Sequence, residues 1–179
     1  MIVVIGKIVD GPRRMSPAAA VAVGAATAGA VVQLVGVVPD DPDGDRRLVE
    51  LAAAGVGHAA VLRGSTRDLE PADVDLALGY LPEIRVVVTV GLSRGTVQAA
   101  GERAAWAGSA LIVIDSEEAG DGGPATGLPP EAIVLGSPPA DPDGTFAGFV
   151  AALAARIDAG ATTSDAWAAT TRALAVDSL

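Results

Sequence analysis

The chain has 179 residues, a formal net charge of −10 and no cysteine. This acidic balance disfavours nucleic-acid binding, because phosphates would be repelled, and with only 3% aromatic residues there is little to stack on bases. The lack of cysteine excludes disulfides and thiolate chemistry. The length suits one domain, 1–179, with a core of Ala, Val, Leu and Ile, since half of the residues are hydrophobic.

The first elements are a strand, a helix and a second strand. Met1–Ile5 is an uninterrupted apolar run, which predicts a strand buried on both faces. Met15–Val38 then contains no charged residue, so it could be a membrane span, a signal peptide, or a helix followed by a buried strand. The third interpretation is favoured, because Ala-rich sequence becomes Val-rich after Gly29, a helix C-cap candidate. Ser16 and Pro17 predict where the helix starts.

The rest of the chain continues the alternation of helices and strands. Helices are predicted over 46–54, 71–78, 96–107, from the turn 141–144 to about 159, and over 164–176; strands are predicted over 30–38, 58–63, 84–90, 111–114 and 133–135. The Gly- and Pro-rich residues 116–130 are predicted to form a mobile surface loop. This order predicts a three-layer α/β/α fold with a mainly parallel, doubly wound sheet of about six strands. Ligands bind such sheets outside the carboxyl ends of the strands.

Charged residues follow the predicted strands and are the candidate ligand-binding groups. Those assigned to substrate binding are Lys7, Asp10, Asp40, Arg94 and Asp115. They could hydrogen-bond a polyol such as a sugar, although polar loops end the strands of every α/β protein, so a structural role stays open.

Two acidic turns and one histidine are the candidates for metal or nucleophilic chemistry. The acidic cluster at 40–45 lacks the spacing of an EF-hand and is interpreted as a turn and helix cap, so no metal site is predicted. The same Asp-Pro-Asp-Gly sequence occurs at 41–44 and 141–144, each time before a predicted helix. A lone His58 excludes a Ser–His or a His-based metal site.

The order of these segments resembles the ribokinase (PfkB) family of sugar kinases over about four-fifths of the chain. IVVIGKIVD resembles the family's first strand, whose sugar-binding Asp corresponds to Asp10. The stretch through VGVVPDDPDG resembles the VGxVGxDxxG segment, with Asp40 and Gly44 on its Asp and Gly. VVVTVGLSRG and the following helix resemble a central βα unit, and DPDGTFAGFVAALAA resembles the terminal helix that begins with GAGDxFxxG.

The departures from the family pattern fall where the family's chemistry lies. The β lid is reduced to residues 11–14, and the ATP-binding segment to 116–130 and one strand. The GGxxxN positions read Met15, Ser16 and Ala20. In GAGD, the anion-hole positions read Asp-Pro-Asp over 141–143 and Gly144 replaces the catalytic Asp. Asp10 also stands one residue nearer its Gly than is usual in the family.

The resemblance therefore implies a degenerate sugar-kinase homologue without phosphotransfer and without a cofactor. It would be a cytoplasmic protein, with no membrane segment, that binds a sugar or nucleoside or serves in assembly. One alternative is an active minimal kinase using ATP and Mg²⁺, with Asp143 or Asp141 as catalytic base and Arg94 or Lys7 on phosphate. Another is a structural subunit that forms a homodimer through the face that the missing lid leaves uncovered.

Overall fold

The computed structural model describes residues 1–8, 15–64, 67–115 and 128–177. Its strands are β1 (Ile2–Gly6), β2 (Val32–Val38), β3 (Val56–Arg63), β4 (Val86–Val90), β5 (Ala110–Asp115) and β6 (Ile133–Gly136). Its helices are α1 (Pro17–Thr27), α2 (Pro42–Ala53), α3 (Pro71–Tyr80), α4 (Arg94–Ala107), α5 (Thr145–Asp158) and α6 (Thr163–Asp177). The predicted loop at 116–130 falls largely outside these ranges.

The six strands form one parallel sheet in the order β3-β2-β1-β4-β5-β6. The strand order reverses between β1 and β4, which are paired through Ile2 with Val86 and Gly6 with Val90. This reversal is the topological switch point, where doubly wound folds bind ligands. The prediction of a parallel doubly wound α/β fold is confirmed.

Helices cover both faces of the sheet and enclose two hydrophobic cores. One core joins Ile2 and Val4 of β1 to α1, α2, α5 and α6, and the other joins Val3 and Ile5 to α3 and α4. All five residues of β1 are buried, as its uninterrupted apolar sequence predicted. The domain therefore has the three layers expected from the alternation of its elements.

The charge-free stretch is the helix and strand that its change in composition predicted. The Ser16 hydroxyl oxygen accepts a hydrogen bond from the Ala19 amide at 3.1 Å, and Pro17 begins α1. Gly29 follows the C-cap with a φ of +89°, a conformation that glycine adopts without strain. Within the described residues, no helix is long and apolar enough to cross a membrane.

Small residues allow α1 and α5 to lie against each other. A Cβ placed on Gly24 would lie 2.9 Å from the Cβ of Ala151, closer than side chains normally approach. Both helices follow strands that end at the same edge of the sheet, so both begin at its carboxyl edge. Their packing brings the start of α5 beside the start of α1.

Two helices begin earlier than the apolar pattern predicted. α2 starts at Pro42, because the Asp41 carboxylate accepts a hydrogen bond from the Gly44 amide at 2.9 Å. α4 starts at Arg94, after Ser93, whose hydroxyl oxygen accepts from the Thr96 amide at 3.4 Å. In both cases the polar cap, and not the first apolar residue, marks the boundary.

Candidate functional site

The carboxyl edge of the sheet is the candidate site, because α1, α4 and α5 all begin there around the switch point. Helix starts present backbone N–H groups that attract anions. The chemistry of this edge depends on which groups satisfy those donors and on which charged side chains come together.

A carboxylate of the chain itself occupies the start of α5. Asp141 Oδ1 accepts a hydrogen bond from the Phe146 amide at 3.1 Å, and Oδ2 accepts from the Ala147 amide at 2.9 Å. Gly144 is the N-cap residue, with a φ of +68° and no side chain to offer. Two donors that could hold an incoming anion are therefore already paired with a negative group.

The second candidate base, Asp143, has a different environment. Its side chain is exposed, and among the described contacts it takes part in no hydrogen bond or ion pair. The structure thus separates the two candidate catalytic residues: Asp141 is a helix cap, while Asp143 lies in solvent.

The repeated Asp-Pro-Asp-Gly sequence adopts two conformations. In the first copy the helix begins at Pro42, and Gly44 is buried so tightly that a Cβ there would lie 2.0 Å from the Pro39 carbonyl oxygen. In the second copy Gly144 is left-handed and the helix begins only at Thr145. The Asp141 carboxylate therefore accepts from amides five and six residues ahead, whereas the Asp41 carboxylate accepts from the amide three residues ahead.

Asp40 belongs to an ion-pair cluster beside β3, at the outer edge of the sheet. Its Oδ1 lies 3.7 Å from Arg63 Nε, and the Arg63 guanidinium also pairs with Asp45. All three side chains are largely exposed. Arg63 thus offsets part of the charge of the two carboxylates, and the cluster keeps a net charge of −1 in solvent.

Three further substrate-binding candidates follow or end strands at the switch point and next to it. Lys7 follows β1, and its Nζ lies 3.3 Å from Asp68 Oδ1. Arg94 is the exposed first residue of α4, and Asp115 is the exposed last residue of β5. Asp10 lies outside the described residues.

Strand spacing limits which of these candidates can share a ligand. Asp40 follows β2 and Asp115 ends β5, so three inter-strand steps separate them, about 14 Å in all. One sugar ring cannot bridge that distance. Asp40 and Asp115 therefore cannot share one ligand, whereas Lys7 and Arg94 follow the adjacent strands β1 and β4 at the switch point.

A small apolar cavity lies between α1 and α2 and was not expected from the sequence. Its volume is about 70 Å³, and its lining consists of the apolar residues Ile8, Met15, Ala19, Val23, Leu51 and Ala54 together with Arg47 and Glu50. The sequence feature that corresponds to this cavity is the spacing of Ala19 and Val23, which lie four residues apart and so on one side of α1. Its lining suits an aliphatic group, because it offers a sugar few hydrogen-bonding partners.

Two carboxyl groups near α3 have shifted pKa values. Arg67 donates to Asp73 at 2.6 and 2.9 Å, and these hydrogen bonds chiefly lower the pKa of Asp73 against the opposing effect of burial. Arg103 Nε donates to Asp75 at 2.5 Å and lowers the pKa of that carboxyl. Both groups are held ionised by arginine, which is typical of structural ion pairs and not of a general acid.

No metal centre is formed by the residues that the structure describes, since no three His, Asp or Glu side chains among them converge. The acidic turn at 40–45 instead caps α2 and pairs with arginine.

Comparison with known proteins identifies the fold. No family model and no curated protein matches the chain. A crystal structure assigned as ribokinase II from E. coli matches with a TM-score of 0.63 and 14% identity, over 93% of this chain and 89% of that one. A second, Sa239, matches with a TM-score of 0.60 and 12% identity, over 92% and 86% of the two chains.

A larger sugar kinase matches over part of its length. The 2-dehydro-3-deoxygluconokinase of Thermotoga maritima gives a TM-score of 0.52 and 16% identity, over 64% of this chain and 50% of that one. This chain thus spans about half the length of that kinase. At these identities the comparisons show the fold, which is that of the ribokinase/PfkB-type sugar kinases.

Proposed function

We propose that this chain is a degenerate relative of the ribokinase-type sugar kinases that has lost phosphotransfer and acts as a binding or assembly protein in the cytoplasm. The observation that carries the proposal is the Asp141 carboxylate on the Phe146 and Ala147 amides. In the family that the sequence resembles, the start of this helix holds developing negative charge.

The proposed loss of activity follows from electrostatics and from the positions of the candidate bases. Phosphoryl transfer needs free donors or cations where charge develops, and a carboxylate within reach of the acceptor hydroxyl. Here Pro142 has no N–H, Gly144 has no carboxylate, and Asp141 would repel a phosphate that approached the helix start. Asp143 is exposed and one residue from the base position, about 100° around a helix. ATP and Mg²⁺ therefore have no assigned role.

The proposed ligand is assigned to the switch point. Lys7 and Arg94 follow β1 and β4, and Asp115 ends the next strand, β5; in this proposal they offer two cations and one carboxylate to a polar molecule. Asp10 keeps the role that the resemblance gives it, as a sugar-binding carboxylate. Asp40 is proposed to serve the Arg63 cluster instead.

A transfer assay with ATP, Mg²⁺ and a panel of sugars and nucleosides tests the loss of activity. The expected result is no phosphate transfer above that of buffer. Turnover that disappears in Asp143→Ala would establish the alternative, an active minimal kinase with that residue as its base. Asp40→Ala is the matched control, because it removes an exposed carboxylate that pairs with Arg63 at the end of β3.

A thermal-shift screen with the same panel tests the binding role separately. A ligand at 100 times its Kd stabilises the folded state by about 2.7 kcal/mol. The shift should be smaller in Lys7→Ala than in the unmodified protein. If no compound of the panel raises the melting temperature, the binding role is rejected and the assembly role remains.

A structural subunit is the second candidate function, favoured by the apolar surface around Met15. That side chain is 49% exposed beside the apolar cavity, at the position where the family's lid would follow β1. A homodimer through this face is the arrangement that the sequence resemblance suggests. Sedimentation of Met15→Glu against the unmodified protein tests it.

A further inference from the structure

The two copies of the Asp-Pro-Asp-Gly sequence place the same Asp-Gly dipeptide in two different environments. Asp43 and Gly44 lie inside α2. Asp143 and Gly144 lie in the turn before α5. An Asp-Gly pair can rearrange without an enzyme, because the glycine nitrogen can attack the side-chain carboxyl group of the aspartate. Glycine has no side chain to obstruct this attack, so the contacts of each copy determine where the reaction can occur.

In the first copy, other residues hold both reacting groups. The Gly44 amide donates to the Asp41 carboxylate at 2.9 Å. The Asp43 carboxylate accepts from the Arg46 guanidinium at 2.5 Å. Gly44 also packs tightly against the Pro39 carbonyl oxygen. Closing a ring between Asp43 and Gly44 would require the first turn of α2 to open, since the hydrogen bonds of a helix maintain its backbone dihedrals.

In the second copy, the same groups are much less restrained. The Asp143 side chain is exposed and takes part in no described hydrogen bond or ion pair. The Gly144 amide makes one described contact, a long hydrogen bond of 3.3 Å to the Asp141 carbonyl oxygen within the turn. Helix α5 begins only after Gly144, so Asp143 lies outside the hydrogen-bonded turns of that helix.

We infer that Asp143 is a site of spontaneous isomerisation to isoaspartate, whereas Asp43 is protected by its contacts. The Gly144 nitrogen attacks the side-chain carboxyl carbon of Asp143, and the amide proton and the carboxyl OH group leave together as water. The product is a cyclic succinimide. Water then opens this ring at either carbonyl. One route restores aspartate, and the other leaves the main chain running through the side-chain carboxyl group, as an isoaspartate of unchanged mass.

The rearrangement acts on the start of α5. It adds one carbon atom to the main chain between Asp141 and the Phe146 and Ala147 amides, which the Asp141 carboxylate caps. The modified bond therefore lies inside the turn that positions this carboxylate on the helix.

Peptide mapping of aged protein tests the inference with the two copies as mutual controls. The folded protein is kept at neutral pH and then digested with chymotrypsin, which separates the copies into peptides that end at Leu48 and Phe146. Electron-transfer fragmentation distinguishes isoaspartate from aspartate in each peptide. Isoaspartate at Asp143 should exceed that at Asp43 by about tenfold or more, because the first copy must break a hydrogen bond and open its helix before it reacts.

A parallel sample in urea separates the effect of structure from that of sequence. The unfolded copies share the same four residues, so isoaspartate should form at similar rates at Asp43 and Asp143. The two other Asp-Gly pairs, at 10–11 and 121–122, lie outside the described residues and fall in other peptides. Folded protein in which Asp143 stays aspartate throughout, or in which both copies isomerise equally, would overturn the inference.

The variants Asp143→Asn and Asp43→Asn provide a second measurement. Asparagine undergoes the same attack by the glycine nitrogen, with ammonia as the leaving group, and hydrolysis of the ring gives a product that is detected by its higher mass. In the folded state Asp143→Asn should deamidate about tenfold or more faster than Asp43→Asn, for the same physical reason. Equal deamidation of the two folded variants would contradict the assignment.

Discussion

Removing the Asp141 side chain tests whether this carboxylate is a structural cap. Asp141→Ala leaves the Phe146 and Ala147 amides without their partner at the start of α5. Losing an N-terminal cap costs about 0.5–2 kcal/mol, and two amides bonded to one carboxylate place this site near 2 kcal/mol. At 2–4 °C per kcal/mol for a domain of this size, the melting temperature should fall by about 4–8 °C.

The matched control is Asp143→Ala, two residues away in the same turn. Its carboxylate is exposed and has no described partner, so the free energy of unfolding should change by no more than about 0.5 kcal/mol. Asp141→Asn keeps one acceptor oxygen and should fall between the two. Urea denaturation of all three variants measures these differences. Equal losses at both positions, or no loss in Asp141→Ala, would refute the assignment of Asp141 as a cap.

Three further substitutions test the core, a turn and an ion pair. Thr89→Val should stabilise the fold by about 1 kcal/mol in urea denaturation, because the buried Thr89 hydroxyl has no described partner; a loss would show that the hydroxyl is satisfied. Gly44→Ala should cost about 1–3 kcal/mol or more, since its Cβ would meet the Pro39 carbonyl oxygen, and an unchanged midpoint would contradict that packing. The hydrogen bonds from Arg67 lower the pKa of Asp73. The stabilisation of the folded state by this pair is therefore complete above the ordinary carboxyl pKa of about 3.9, and it is lost as pH falls through the lowered pKa. In Arg67→Gln, NMR titration should show the pKa of Asp73 higher than in the unmodified protein; an equal or lower pKa would contradict the pairing.

The fold was predictable because its signals are local. Ser16 and Pro17 define the start of α1 by cap chemistry, and the fully apolar β1 is typical of a strand buried on both faces. Gly44 coincides with a glycine of the resembled segment, and the buried contact with Pro39 explains why a side chain does not fit there.

The candidate site was less predictable because it depends on tertiary arrangement. In the first Asp-Pro-Asp-Gly copy the helix begins inside the motif, at Pro42, whereas in the second copy it begins after the motif, at Thr145. The four residues are identical, so their sequence alone does not predict which helix start each copy adopts. The sequence placed charged residues after strands but did not specify strand order, which separates Asp40 from Asp115. The exposure of Trp106 was equally hidden, because an apolar residue on a helix is expected to be buried.

The loss of phosphotransfer is tested most directly by a single-turnover experiment. Protein in excess is mixed with γ-labelled ATP, Mg²⁺ and each sugar or nucleoside, so that even one slow transfer per molecule would be detected. We expect no labelled sugar or nucleoside from the unmodified protein or from Asp143→Ala. A labelled product formed by the unmodified protein and absent in Asp143→Ala would show that the chain is a working kinase and would contradict the proposal.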